Sequence, residues 1–249
     1  EAWVPDHERL QQYVRPDELH TSFNFDFLTC PWDAARMRAV IDRSLETLGA
    51  VGAPATWVLG NHDVARVVSR YARLEQRRGQ NLVHLAKEYD LDMGQRRARA
   101  AIMLMLALPG SVYLYQGEEL GLPEVELARH LLRDPVGDLY YPLFKGRDGC
   151  RSPMQWDATP GTGFTTGTPW LKVHPDHVQR NVTTQEGDPG SMLNFTRRLI
   201  ALLPLAWIAP ARALTLADLL RRPGVPFDAV AEAGRIGKPG FDVSRETLG

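Results

Sequence analysis

An α/β fold with a parallel sheet is predicted by two observations in the first half of the chain. Three short segments have strand character, and they lie at residues 23–27, 55–59 and 111–116. Between them are two longer segments whose apolar residues recur at helical spacing. Strands that alternate with helices are typical of βαβ units, in which neighbouring strands run parallel.

The three predicted strands differ in pattern. FNFDF at 23–27 alternates apolar and polar residues with a period of two, which is typical of a strand. ATWVL at 55–59 is a short apolar run, and SVYLYQ at 111–116 is rich in β-branched and aromatic residues. Both of these segments lead directly into polar residues.

The predicted helices have recognisable ends. The first follows Asp33 and stops at Gly49. The second covers 93–108 and is broken by Pro109-Gly110, and a third begins after Ser191, a residue type that caps helices. Apolar residues at helical spacing mark the first of these helices: Met37, Val40, Ile41, Leu45 and Leu48.

Polar residues follow two of the predicted strands. Asn61-His62-Asp63 comes after 55–59, and Gln116-Gly117-Glu118-Glu119 ends the segment at 111–116. In parallel α/β folds, the carboxyl ends of strands form the ligand site. Position alone therefore predicts a functional site at these two points, although Asn, His and Asp also suit a plain turn.

Composition and charge narrow the range of partners. Lys and Arg total 29 and Asp and Glu total 30, so the net charge is -1. This balance gives no electrostatic reason to expect nucleic acid or an anionic membrane as partner, and a neutral ligand such as a sugar fits it. The two isolated cysteines, Cys30 and Cys150, form no disulfide or zinc pattern. Unpaired cysteines suit a reducing compartment, and the first residues do not resemble a secretion signal. Together these two observations predict a cytoplasmic protein.

The segment 122–188 breaks the regular pattern. Pro, Gly, Asp and Thr become frequent there, which is typical of a functional loop in a compact domain. Trp156, Phe164 and Trp170 lead us to expect that this loop is ordered and packed.

Six segments, in order, resemble glycoside hydrolase family 13, the α-amylase family, and most closely its α-glucosidase and oligo-1,6-glucosidase branch. TWVLGNHDVARVVSRY is similar to the seventh barrel strand and its loop, and GSVYLYQGEELGLPEV to the eighth. HTSFNFDFL resembles the sixth strand region, and EAWV resembles the end of the fifth. GRDGCRSPMQW and GFTTGTPWLKV resemble the substrate loop of that branch.

The resemblance implies the C-terminal part of a (β/α)8 barrel, with strands 6–8 and the end of strand 5. It also implies hydrolysis of α-glucosidic bonds in oligosaccharides with retention, which needs two carboxyl groups about 5–5.5 Å apart. The nucleophile belongs at the end of the fourth strand, which the matched segments do not include. We therefore expect the chain, expressed alone, to have negligible glucosidase activity.

The resemblance also implies roles for five residues of the site. Glu1 matches the general acid/base, and Asp63 matches a third carboxylate that stabilises the transition state. His62 matches a donor to the same sugar hydroxyls, Arg66 an arginine that orients a carboxylate, and Arg151 a residue at the rim of the substrate site. Glu118 and Glu119, although paired at a strand end, are assigned to loop structure. No cofactor or metal is expected here, because the calcium ligands of some members lie mostly upstream.

The domain organisation departs from the family after residue 202. Residues 1–202 are interpreted as the barrel portion, with 122–188 as its substrate loop. Residues 203–249 form an atypical tail in place of the usual β-sandwich, and we interpret it as frame-shifted or disordered. Two other functions stay open. One is a transglucosylase of the same family that forms trehalose or cleaves sucrose, and the other is a non-catalytic relative that acts as a binding or scaffold subunit.

Overall fold

The computed structural model describes residues 3–4, 6–73 and 90–208. Its regular elements, in chain order, are α1 (His7–Gln11), α2 (Phe25–Leu28), α3 (Ala34–Gly49), β1 (Thr56–Val58), α4 (Val67–Tyr71), α5 (Leu91–Ala107), β2 (Ser111–Tyr113), α6 (Pro135–Leu139), α7 (Val182–Glu186) and α8 (Met192–Ile208). Short 3₁₀ turns lie at Arg129–Leu131, Asp148–Arg151 and Pro175–Val178.

The sheet of the described residues consists of β1 and β2, which pair in parallel. Thr56 lies opposite Ser111, and Val58 lies opposite Tyr113. The connection between the strands contains α4 and α5, so it is a βαβ crossover. The predicted α/β pattern and the strands at 55–59 and 111–116 are therefore confirmed, although each strand has only three paired residues.

The predicted strand at 23–27 is wrong, because this segment forms the helix α2. Asn24 caps it, since its side-chain oxygen accepts the backbone N–H of Phe27 at 2.9 Å. Phe27 and Leu28 are adjacent in sequence and both are buried, a pattern that a helical turn allows and a half-buried strand does not. The local cap therefore overrides the alternation of apolar and polar residues.

The helix α3 confirms the first predicted helix. Asp33 caps it by accepting the backbone N–H of Arg36 at 2.8 Å, and the helix ends at Gly49 as predicted. Met37, Ile41 and Leu48 are buried on one face, which packs into the main core.

Trp57 lies at the centre of that core and links the strands to the helices. Its side chain is fully buried, and its ring meets the ring of Phe27 edge to face at 5.1 Å between centroids. The indole Nε1–H donates to the carbonyl oxygen of Pro109 at 2.8 Å, so the only polar atom of this side chain is satisfied. This bond fixes the turn that leads into β2.

That turn requires glycine at position 110. Gly110 has a φ of 127°, and a Cβ there would lie 2.2 Å from the carbonyl oxygen of Ala55. The same carbonyl accepts the backbone N–H of Ser111 at 2.8 Å, which starts the pairing of the two strands. The absence of a side chain at Gly110 thus lets β2 approach β1.

The segment 122–188 is largely irregular, as predicted, but the aromatic residues expected to pack its interior do not do so. Trp156, Phe164 and Trp170 are exposed, so they do not pack the loop. A small cluster of apolar side chains is buried instead: Val125, Leu127 and Leu171, with Leu132 against it.

The helix α8 begins where predicted. The hydroxyl oxygen of Ser191 accepts the backbone N–H of Asn194 at 3.1 Å, which is the expected N-cap contact. The predicted atypical tail falls mainly on residues 209–249, which lie outside the described residues. Within the described part of the chain, no helix combines the length and apolar character needed to cross a membrane.

The close packing of α4 on α5 depends on Gly94. A Cβ at this position would lie 2.4 Å from the carbonyl oxygen of Val68 and 2.8 Å from the Cβ of Ala72. We expect Gly94→Ala to lower the free energy of unfolding by about 1–3 kcal/mol in urea titrations, because the two helices must separate. Gly49→Ala is the matched control, since no atom lies within 4 Å of its Cβ position and alanine favours helix by about 1 kcal/mol. Equal effects of the two changes would contradict this explanation.

Candidate active site

Asp63 is the centre of a charged cluster at the carboxyl end of β1. Its Oδ1 accepts hydrogen bonds from Arg147 Nη1 at 3.1 Å and from Arg151 Nη2 at 2.9 Å. Its Oδ2 lies 3.7 Å from His62 Nε2, which is beyond hydrogen-bond distance. The two oxygens are therefore not equivalent, because Oδ1 is occupied by two guanidinium groups while Oδ2 faces a half-exposed imidazole.

The turn after β1 sets the direction of Asp63. Asn61 is buried, and its side-chain oxygen accepts the backbone N–H groups of Asp63 at 2.9 Å and Val64 at 3.1 Å. This Asx turn replaces strand pairing at the point where β1 ends. The turn holds both backbone N–H groups. The Asp63 side chain is partly exposed, at 29%.

The 3₁₀ turn Asp148–Arg151 docks on the same segment. Arg151 Nε–H donates to the carbonyl oxygen of His62 at 2.7 Å, while the other branch of its guanidinium reaches Asp63. The buried Sγ of Cys150 lies 3.4 Å from the same carbonyl oxygen. The structure thus brings together His62, Asp63 and Arg151, three of the five residues assigned to the site by the resemblance.

Arg147 belongs to the same cluster and was not identified from the sequence. Besides Asp63, it contacts Asp134, whose Oδ2 accepts Arg147 Nε–H at 2.7 Å and whose Oδ1 accepts Nη2–H at 3.1 Å. The hydrogen bonds from Arg147 lower the pKa of Asp134, and those to Asp134 raise the pKa of Arg147. The signal available in the sequence was the spacing of the two arginines in GRDGCR.

Arg66 is buried between the loops that follow β1 and β2. It is 2% exposed, and its Nη1–H donates to the carbonyl oxygen of Gln116 at 2.8 Å. Its backbone N–H donates to Glu124 Oε2 at 2.9 Å. The role assigned to Arg66 by the resemblance, the orientation of a carboxylate at the substrate site, stays a prediction. The remaining assigned residue, Glu1, lies outside the described residues.

Two buried glutamates surround Arg66. Burial raises the pKa of Glu118 to about 7, and burial likewise raises the pKa of Glu124 to about 7. Glu118 Oε2 accepts the backbone N–H of Tyr115 at 3.0 Å, and a Cβ on Gly60 would lie 2.5 Å from its Oε1. Glu118 is thus part of the interior of the loop that follows β2. Glu119 belongs to the same loop, where its carboxylate accepts the backbone N–H of Gly117 at 2.8 Å.

The raised pKa values of Glu118 and Glu124 predict a pH dependence of stability. A carboxyl whose folded pKa lies above its unfolded pKa of 4.5 binds a proton more tightly when folded. Its stabilising contribution is complete below pH 4.5 and is lost as the pH rises through about 7. We expect the free energy of unfolding to fall from pH 5 to pH 7, by up to about 1.4 kcal/mol per pH unit for each carboxyl.

Urea titrations at half-unit pH intervals test this dependence. Glu118→Gln should flatten the slope, whereas Glu46→Gln, at an exposed position, should leave it unchanged. A stability that rises between pH 5 and pH 7 would contradict the assignment.

No cluster of three or more His, Cys, Asp or Glu side chains suited to a metal ion occurs in residues 3–4, 6–73 and 90–208.

Comparison with known proteins agrees with the motifs. The family model described as alpha amylase, catalytic domain, matches residues 1–204. The chain belongs to the alpha-amylase family. The resemblance inferred from the sequence motifs is therefore confirmed, and the described residues form part of the barrel fold of alpha-amylase family enzymes. The correspondence of β1 and β2 to particular barrel strands stays a prediction.

Curated relatives within the alpha-amylase family include two bacterial glucosidases. A probable alpha-glucosidase of Rhizobium meliloti is 38% identical over 185 residues, which are 74% of this chain and 30% of that protein. An oligo-1,6-glucosidase of Heyndrickxia coagulans is 30% identical over an alignment of 236 positions, gaps included, which covers 81% of this chain and 40% of that protein. The chain thus spans less than half the length of these relatives.

Solved structures of alpha-amylase family members give the same picture. An alpha-glucosyl transfer enzyme, XgtA, is 35% identical with a TM-score of 0.64, and the match covers 83% of this chain and 35% of that one. An isomaltulose synthase mutant of Erwinia rhapontici, solved with sucrose, is 26% identical with a TM-score of 0.63, and the match covers 81% and 38%.

Proposed function

We propose that this chain forms the part of an α-glucosidase active site that holds a glucosyl unit while α-glucosidic bonds in oligosaccharides are cleaved with retention. The observation that carries the proposal is the asymmetric setting of Asp63. Its Oδ1 is bound by two guanidinium groups and its Oδ2 lies beside His62. Among the described residues no group donates a hydrogen bond to Oδ2, so the arrangement offers this carboxylate oxygen and one imidazole to the hydroxyl groups of a sugar.

The charges suit an oxocarbenium-like transition state. Asp63 is an anion whose position is fixed before the substrate binds, so it stabilises developing positive charge without reorganisation. A retaining reaction also needs a nucleophile and a general acid/base. We infer that Asp63, with Oδ1 committed to two arginines, is neither of these, and that Glu1 is the acid/base.

The 249-residue chain by itself is expected to have negligible turnover of p-nitrophenyl α-glucoside. Asp63 serves as the stabilising carboxylate, so retaining hydrolysis needs a further carboxyl group as nucleophile. None of the segments that resemble the family matches that nucleophile. Turnover by the purified chain, abolished by Asp63→Asn, would contradict this inference.

A chimera tests the function itself. The segment of the Rhizobium meliloti relative that matches this chain would be exchanged for residues 1–202, and the product assayed with maltose and isomaltose. We expect both sugars to be hydrolysed. With p-nitrophenyl α-glucoside, whose leaving group is not a sugar, we expect the first glucose anomer seen by NMR to be α. A folded chimera that cleaves neither sugar, or that releases β-glucose first from p-nitrophenyl α-glucoside, would contradict the proposal.

Glucosyl transfer is a second candidate, favoured by the 35% identity to an alpha-glucosyl transfer enzyme. The same chimera distinguishes it. Transfer moves the glucosyl unit to a second sugar, so each maltose cleaved would release at most one free glucose and new di- or trisaccharides would appear. Hydrolysis would release two glucose molecules for each maltose and form no new sugar.

A further inference from the structure

We propose that Asp134 is a positioning residue that holds the Arg147 guanidinium in one orientation. In this orientation only one N–H group of Arg147 reaches Asp63. Oδ2 of Asp63 therefore stays available to a sugar hydroxyl. This inference rests on the proposed function, because it explains how one carboxylate oxygen is kept available. Asp134 itself does not contact a ligand, and it acts through Arg147.

The contacts between Asp134 and Arg147 define the orientation of the guanidinium. Asp134 Oδ2 accepts Arg147 Nε–H at 2.7 Å, and Oδ1 accepts Nη2–H at 3.1 Å. Such a two-point contact between a carboxylate and a planar guanidinium fixes both distance and direction. Asp134 Oδ2 also accepts the backbone N–H of Arg147 at 2.9 Å, so the start of the side chain is held as well.

This geometry leaves Nη1 as the branch that points to Asp63. Nη1–H reaches Oδ1 of Asp63 at 3.1 Å, the same oxygen that Arg151 contacts. The carboxylate of Asp134 is completely buried, so solvent does not weaken its hold on Arg147. Arg147 is therefore shared between two aspartates, with its Nε edge toward Asp134 and one terminal nitrogen toward Asp63.

Asp134 lies in the neck of a loop, where Arg133-Asp134 meets Arg147-Asp148. Asp148 Oδ2 accepts the backbone N–H groups of Arg133 at 2.6 Å and Asp134 at 2.8 Å. A Cβ on Gly146 would lie 2.9 Å from the Cα of Gly137, so the two sides of the loop touch just above the aspartates. The positions of Asp134 and Arg147 are thus determined by backbone contacts as well as by their own ion pair.

Removal of the Asp134 charge would release Arg147 toward Asp63. An unpaired guanidinium favours a two-point contact with a nearby carboxylate, and that contact would occupy Oδ2 as well as Oδ1. A sugar hydroxyl would then compete with Arg147 for the same oxygen. The expected consequence is weaker sugar binding without loss of the fold.

The test is a double-mutant cycle in the 249-residue chain, with maltose and isomaltose titrated and followed by NMR. We expect Asp134→Asn to weaken sugar binding by about tenfold. Arg147→Lys keeps a positive charge beside buried Asp134 but lacks the planar fork, so Asp134→Asn should have no further effect in that background. Asp138→Asn, in the same loop and in an exposed ion pair with Arg129, should leave binding unchanged. Additive effects of the two changes at 134 and 147 would overturn the proposal.

A readout that needs no sugar separates this proposal from the proposed function. The Asp63 carboxyl carbon, labelled with ¹³C, should change its chemical shift in Asp134→Asn and not in Asp138→Asn, and the change should vanish in the Arg147→Lys background. If these shifts occur but neither sugar binds the parent chain, the proposed function fails and the positioning role stands. If the Asp63 signal does not respond to Asp134→Asn, the positioning role is wrong whatever the sugar affinity.

Discussion

In the chimeric enzyme, Asp63→Asn is expected to lower kcat/KM for isomaltose by about 10²–10³-fold, as other losses of a preorganised stabilising group do. The amide has no charge to set against the developing oxocarbenium ion. It also places an NH₂ group next to Arg147 and Arg151, which need acceptors rather than donors. The loss should be mainly in kcat, because the interaction is strongest in the transition state.

A matched control makes the Asp63 prediction specific. Asp42→Asn removes a carboxylate from an exposed ion pair with Arg38 and should change kcat/KM by less than twofold. Thermal unfolding of both variants should stay close to that of the parent chimera. Asp63→Asn with more than a tenth of the parent kcat/KM would exclude the role assigned to this carboxylate.

The second large effect is on stability. Arg66→Met is expected to lower the free energy of unfolding at pH 8 by about 3–5 kcal/mol, the usual cost of removing one partner from a buried group of charges. Glu124 would lose the cation beside its buried carboxylate, and Glu118 would lose one of the positive charges that lower its pKa. The backbone N–H contact of residue 66 with Glu124 would remain, so the loss reports the side chain.

The pH dependence identifies the cause of the Arg66 effect. At pH 5 both glutamates are largely protonated and need no cation, so the deficit of Arg66→Met should shrink. Arg38→Met, at an exposed ion pair, should cost less than about 1 kcal/mol at either pH. Urea titrations at pH 5 and pH 8 measure both differences. A deficit that is equal at the two pH values would indicate lost packing and the lost hydrogen bond to the Gln116 carbonyl oxygen, and would contradict an effect through the glutamate charges.

Much of the fold could be predicted because local signals and tertiary packing agree. The apolar run at 55–59 and the helix after Asp33 satisfy strand or helix patterns, burial and capping at once. The segment at 23–27 shows the limit of this reasoning. Its alternation of apolar and polar residues is real, but the cap at Asn24 and the adjacent burial of Phe27 and Leu28 select a helix.

The site was partly predictable for a different reason. His62, Asp63 and Arg151 belong to motifs that resemble the family, so they could be assigned from short strings of sequence. Arg147 and Asp134 are 13 positions apart, separated by α6 and the turns that follow it, and no periodicity predicts their contact. The hydrogen bond from the Arg66 backbone N–H to Glu124 joins residues 58 positions apart, and such long-range pairing has no local signature.

The closed neck between Arg133-Asp134 and Arg147-Asp148 makes the orientation of Arg147 independent of the tip of the loop. Within the described residues, the hydrogen bonds that orient the Arg147 side chain come from Asp134 in the neck and from Asp63, and residues 138–144 at the tip make none of them. Doubling the length of such a tip costs only about 0.6 kcal/mol of closure entropy. Insertions, deletions or grafted recognition loops at the tip are therefore compatible with an undisturbed Asp63, which makes the tip a suitable place for engineering.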